Sequence, residues 1–155
     1  MIQRIFRRKI YDKILKWKEE NQGKTALLIE GARRVGKSTV VEEFARKEYQ
    51  SCIIIDSNKA RKEVKDLFED LMDMDLLFLK LQQTYHVELV DRNSVIVFDE
   101  VQQCPLARQA IKYLVQDGRY DYIETGSLSS SSRSNKKLTP LYVGWRYATS
   151  HQHLY

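Results

Sequence analysis

The sequence predicts an α/β fold, a three-layer sandwich with a mostly parallel sheet between helices. Three observations point there. Short apolar runs of strand length alternate with helix-periodic segments, the order that builds parallel sheets. The first apolar run passes through a Gly-rich octapeptide straight into a helix. A later apolar run ends in two adjacent carboxylates, Asp99 and Glu100. The length of 155 residues suits one domain with a real core.

In chain order, residues 5–20 space Ile5, Phe6, Ile10, Ile14, Leu15 and Trp17 among Lys, Arg and Glu, as an amphipathic helix does. Asn21-Gln22-Gly23 supplies its C-terminal stop. Residues 1–22 thus form a basic amphipathic helix ahead of a core at 23–128. Thr25 to Glu30 reads as the first strand, and Ser38 to Lys47 as the helix that follows. Between them, Gly31-Ala32-Arg33-Arg34-Val35-Gly36-Lys37-Ser38 reads G-x-x-x-x-G-K-S, the Walker A pattern of a P-loop. The two glycines allow torsions and close approach that a Cβ forbids. The loop then presents a nest of N–H groups, to which the helix N-terminus adds its dipole. Lys37 is the point charge for the β- and γ-phosphates, and Ser38 is a hydroxyl ligand for Mg²⁺. With Thr39 in the same first turn, residues 31–39 are the candidate ATP-binding segment. Ile10 and Tyr11, just upstream, are candidates to cover the base; packing on the sheet edge is the plainer role for that helix.

Ile53 to Ile55 form a β-branched run that suits a strand buried on both faces. Residues 59–70 look helical and highly charged, and Leu76 to His86 marks another helix, with His86 at the surface or core edge. Ser94-Val95-Ile96-Val97-Phe98-Asp99-Glu100 is the Walker B pattern. It ends a buried strand in carboxylates at the edge where open α/β sheets bind ligands. Mg²⁺ favours carboxylate and hydroxyl oxygens, so Asp99 and Ser38 are the candidate metal residues. Glu100 is the candidate to orient and polarise the attacking water. Pro105 opens a helix from Leu106 to Asp117, and Gly118 caps it. Tyr120 to Ser127 reads as a fourth strand, with Thr125 or Ser127 placed to hydrogen-bond the attacking water or the γ-phosphate. Lys37, Glu100, Thr125 and Ser127 are therefore the candidate catalytic residues.

The net charge of +5 lies at the two ends. Arg4, Arg7, Arg8 and Lys9 crowd residues 1–10, and Arg133, Lys136, Lys137 and Arg146 fall in residues 127–155, with no acid in either stretch. The body between them is net acidic, so the chain lacks a broad basic face; its ends can touch nucleic acid or simply be solvated. No run approaches the roughly 20 apolar residues of a membrane span. The N-terminus has no apolar core or cleavage site of a secretory signal. Cys52 and Cys104 lack metal-ligand or redox spacing, which fits reduced thiols in a cytoplasmic protein.

The segments GARRVGKS, VIVFDEVQQCP and YDYIETGSL, with the leading RRKIYDKILKWKEE, resemble the prokaryotic AAA-type ATPases that carry an extra C-terminal domain of unknown function. The resemblance runs from about Arg8 to Leu128. It implies a P-loop sheet of the ASCE type with strand order 5-1-4-3-2, the Walker roles given above, and a polar sensor at Thr125 or Ser127. It also implies a fifth strand and a helical lid after Leu128. There the chain turns instead to a Ser-rich, acid-free stretch, so residues 129–155 read as a tail outside the family pattern, the product of truncation. The alternative is that Leu141 to Ala148 supplies a substitute fifth strand. Without one, the first strand would be an exposed apolar edge. An arginine finger from a neighbouring subunit would complete such a site, making self-association or a protein partner an expectation. Arg33, Arg34, Arg133 and Arg146 offer no assignment for it.

The function expected is Mg²⁺-dependent ATP hydrolysis. The alternatives are a nucleotide-binding interaction module or remnant with little turnover and a small-molecule kinase. Against the kinase, Val35 stands where many such kinases have an additional Gly.

Overall fold

The computed structural model describes residues 2–31, 36–127, 143–149 and 153–154. The chain opens with α1 (Ile2–Asn21), β1 (Thr25–Gly31), α2 (Lys37–Glu48) and β2 (Ser51–Asp56). It continues through α3 (Lys62–Asp66), α4 (Met74–Tyr85), β3 (Ser94–Asp99), α5 (Pro105–Asp117) and β4 (Asp121–Ser127). β5 (Val143–Thr149) and the short β6 (His153–Leu154) complete a sheet of order β2-β3-β4-β1-β5-β6.

The strands β2, β3, β4 and β1 are mutually parallel, so their C-terminal ends share one edge. Alternation along them divides the core into two layers, because successive side chains point to opposite faces. Leu27 and Ile29 of β1, Val95 and Val97 of β3, and Ile123 of β4 face α1 and α2, packing on Ile14, Trp17 and Phe44. Ala26, Leu28, Ile96, Phe98 and Tyr122 face the other way, onto Leu81 of α4 and Ile111 and Leu114 of α5. This is the three-layer sandwich that the sequence predicts. β1 is an inner strand, with β4 parallel on one side and β5 antiparallel on the other, so its apolar run is not an open edge.

Two local expectations need correction. β2 lies at the sheet edge, so Ile53 and Ile55 are buried but Ile54 is only half-buried. The charged segment 59–70 holds only the short helix α3. Lys59 and Ala60 instead turn back on the Asp56 carbonyl, and Leu67, Phe68 and Glu69 bond three residues back in tight turns. Val64 and Phe68 are buried against the sheet, with Ala60, Leu67 and Leu71 packed partly on the same cluster. α4 and α5 form as expected, with Pro105 in the first turn of α5 and Gly118 left-handed (φ 81°) after it. His86 ends α4 in an exposed left-handed position. Both cysteines are free thiols. Among the described residues, no helix is long and apolar enough to cross a membrane.

Candidate nucleotide site

The site gathers at the C-terminal edge of the parallel strands. Register brings the pieces together: Ile29 of β1 stands beside Thr125 of β4, Gly31 beside Ser127, and Phe98 of β3 beside Glu124. Residues far apart in the chain therefore meet because parallel strands end at the same level.

β1 ends at Gly31, and α2 begins at Lys37. Ala32, Arg33, Arg34 and Val35, expected in the phosphate loop, lie outside the described residues. Gly36 sits in the left-handed region (φ 86°), and a Cβ placed there would meet nothing within 4 Å. Torsion is thus what demands glycine at this position. Val40 N–H bonds to the Gly36 carbonyl and closes the first helical turn. The first N–H groups of a helix have no intrahelical partner, so those of Lys37, Ser38 and Thr39 are suited to an anion.

Lys37 is buried, and its Nζ donates to the Gly31 carbonyl at 3.0 Å, across the base of the loop. Burial pushes its pKa down, while the carboxylates of Glu100 and Asp99 pull it back up.

Asp99 and Glu100 are adjacent in sequence but diverge in space. Asp99 Oδ1 accepts from Ser38 Oγ at 2.7 Å and from Thr125 Oγ1 at 2.6 Å. Glu100 takes left-handed torsions (φ 53°, ψ 55°), uncommon for a residue with a side chain, and so leaves the strand direction at once. Its backbone N–H donates to Thr125 Oγ1 at 3.0 Å. Its carboxylate accepts Ser127 Oγ at 2.8 Å on Oε1, and Gln102 Nε2 with Ser127 N–H on Oε2. Burial pushes the Glu100 carboxyl up, but these hydrogen bonds from Gln102 and Ser127, with the Lys37 charge, hold it below its ordinary value overall.

The two hydroxyls that the sequence leaves as alternatives are thus divided between the two acids: Thr125 serves Asp99, and Ser127 serves Glu100. Thr39 is exposed in the first turn of α2. Ile10 is buried in the core, and Tyr11 stacks edge-on against Phe44 and donates to Glu48 Oε1 at 2.6 Å. These partners stand roughly two to three turns along α2 from Lys37.

Two polar residues at this edge escape sequence reasoning. Gln102 lies in the 3₁₀ turn Val101–Gln103, and its amide oxygen stands 3.4 Å from where a Cβ on Gly126 would be. Glu124 is buried on β4, and burial pushes its carboxyl up to about 7 despite the opposing pull of Arg108; Glu30 adds to the rise. The available signal for Glu124 is an acid directly after the apolar pair Tyr122-Ile123 in mid-strand.

Ser38 and Asp99 put a hydroxyl and a carboxylate in contact, the hard oxygen donors that suit Mg²⁺. A left-handed glycine at position 36, a buried lysine and the N-terminal N–H groups of a helix suit a phosphate chain. Among the described residues, no group of three or more His, Cys, Asp or Glu side chains could hold a metal by itself. A cation at Asp99 would therefore draw its remaining ligands from phosphate and water.

No curated protein and no solved structure matches the chain. The sequence family described as AAA domain matches residues 23–146, most of the chain, from the turn before β1 into β5. That span takes in the loop, both acids, both hydroxyls and the antiparallel neighbour of β1, and on it the chain belongs to the AAA domain family of P-loop ATPases.

Proposed function

We propose that the protein binds ATP with Mg²⁺ and hydrolyses its terminal phosphoanhydride with water. The observation that carries this reading is the divergence of two neighbouring acids. Asp99 turns to the Ser38 hydroxyl at the helix N-terminus, and Glu100 is rotated away on left-handed torsions to its own set of donors. One acid is thereby suited to a metal and the other to a proton.

In this scheme Ser38 and Asp99 hold Mg²⁺, which supplies neutralisation of phosphoryl charge when bound. Lys37 and the N–H groups of residues 37–39 hold the phosphates. Thr125 fixes Asp99 through its hydroxyl and receives the Glu100 N–H, so it sets the angle between the two acids. Glu100 orients water and accepts its proton. Its lowered pKa keeps it ionised near neutrality, ready to accept.

A second reading, nucleotide binding with little turnover, has one observation in its favour: both Glu100 carboxylate oxygens already accept hydrogen bonds from Ser127 and Gln102. Glu100→Gln separates the two readings. Hydrolysis predicts that the variant binds ATP as the parent does and loses phosphate release. Equal, near-background release from both proteins carries the binding-only reading instead.

A further inference from the structure

The basic N-terminal helix has a structural consequence that the nucleotide site does not use. α1 crosses α2, and between them lies a groove of about 670 Å³. Arg4, Arg7, Arg8 and Tyr11 line it from α1, and Val40, Glu43 and Lys47 from α2. Positions 4, 7 and 8 fall on one helical face, so three exposed guanidinium groups stand in a row along one wall. The acids in the groove are Asp12 and Glu43. Glu43 is already engaged: Lys47 Nζ donates to it at 2.8 Å, and this bond and charge, helped by Arg7, hold its pKa down.

We propose that this groove binds the phosphate backbone of nucleic acid. The chemistry favours phosphate over other anions. A guanidinium fork matches two oxygens of one phosphate, and a row of such forks fits a ligand whose charges repeat. A peptide ligand would need apolar pockets for anchoring side chains. Here the Tyr11 hydroxyl is committed to Glu48 and its ring to Phe44, and the groove's charged side chains are four cations, Arg4, Arg7, Arg8 and Lys47, against the acids Asp12 and Glu43. The row spans about 6 Å of helix axis at 1.5 Å per residue, enough for about two or three phosphates.

The test is fluorescence anisotropy of the full chain with a labelled oligothymidylate, long enough to cover a site of roughly 4–16 nucleotides. Binding should weaken with salt on a log–log slope of about −1.4 to −2.1, since each neutralised phosphate on a single strand contributes about −0.7. Combining Arg4→Gln, Arg7→Gln and Arg8→Gln should lower affinity at least about tenfold and flatten the slope. Combining Lys16→Gln, Lys62→Gln and Lys112→Gln removes equal charge from exposed sites elsewhere and should leave most of the affinity. The proposal is overturned by absence of binding in the parent, by equal losses in the two triple variants, or by full displacement with polyglutamate at equal charge, which would assign the groove to an acidic protein. ATP binding, measured on the same preparations, reports on the loop independently, so failure of the groove and failure of the nucleotide site are distinguishable.

Discussion

The two edges of the parallel sheet each carry a buried or half-buried acid network, and they are built oppositely. At the N-terminal edge, Asp121 accepts from the Tyr49 hydroxyl at 2.6 Å and from Arg92 Nη2 at 2.7 Å. Arg92 is itself fixed, donating Nη1 to the Gly118 carbonyl and its backbone N–H to Arg119. Burial and the Asp121 charge push the Tyr49 hydroxyl far above its ordinary pKa, so it remains a donor. The acid there is neutralised by a guanidinium, and the network is closed. At the C-terminal edge, Asp99 and Glu100 receive hydroxyls, an amide and a backbone N–H, and the charge of the buried Lys37 acts on both. Those neutral donors fix the carboxylates in place, the arrangement that the proposed hydrolysis would use to receive a cation and a proton. A partly buried carboxylate is therefore not the mark of a site; the charge of its partner is what separates scaffold from chemistry.

The sharpest way to break this contrast is a pair of substitutions. Glu100→Gln, at the open edge, should lower steady-state phosphate release by about 10²–10⁴-fold, the usual contribution of a positioned base, with ATP affinity and unfolding midpoint little changed. Asp121→Ala, at the closed edge, should do the reverse. It strands the Tyr49 hydroxyl in the core and should cost about 1–3 kcal/mol in urea unfolding, with turnover per folded molecule retained. Loss of turnover from Asp121→Ala without loss of stability would erase the distinction.

Glu124 gives a pH handle on the open edge. Its folded pKa of about 7 lies above its ordinary 4.5, so the folded state holds the proton more tightly than the unfolded chain does. Its contribution to stability is present at and below the ordinary value and is lost as pH rises towards about 7. Glu30 and Arg108 act on it in opposite senses. Urea midpoints from pH 5 to 8 should thus decline more for the parent than for Glu124→Gln. The variant should gain on the order of 1–3 kcal/mol relative to the parent across that range. The smallest effect belongs to Gln102→Ala. Removing a hydrogen bond that favours ionised Glu100 should move the acidic limb of the turnover profile to higher pH and change its plateau only a few-fold. A several-fold rise in the plateau would instead identify the Gln102 contact as a restraint on Glu100.

Much of this was legible in the linear sequence because its signals are local. The apolar run at 95–98, the helix stop at Gln22-Gly23 and the capping glycine at 118 each act through neighbours a few residues away, and each appears where periodicity places it. The short extent of α3 was not legible, because the segment's apolar positions keep helical spacing while its backbone bonds run to the Asp56 carbonyl and three residues back at 67–69. The antiparallel direction of β5 was not legible either, since an apolar run does not encode its orientation. Gln102 carried no signal, because its partner Glu100 becomes one only through the backbone torsions at the strand end.

By itself the sequence determined the residue types and their order: a glycine loop after a strand, a lysine and a serine opening a helix, two acids ending another strand. Those follow from torsional freedom and from the repeat lengths of helix and strand, which the covalent chain carries everywhere. Only the tertiary structure decided the pairing, Thr125 with Asp99 and Ser127 with Glu100, and with it the separate surroundings of two consecutive carboxylates. Such surroundings are made by groups 25 to 27 residues away in sequence, brought within hydrogen-bond reach by the register of β3 against β4. Charge, burial and distance are properties of that assembly, and no single stretch of chain contains them.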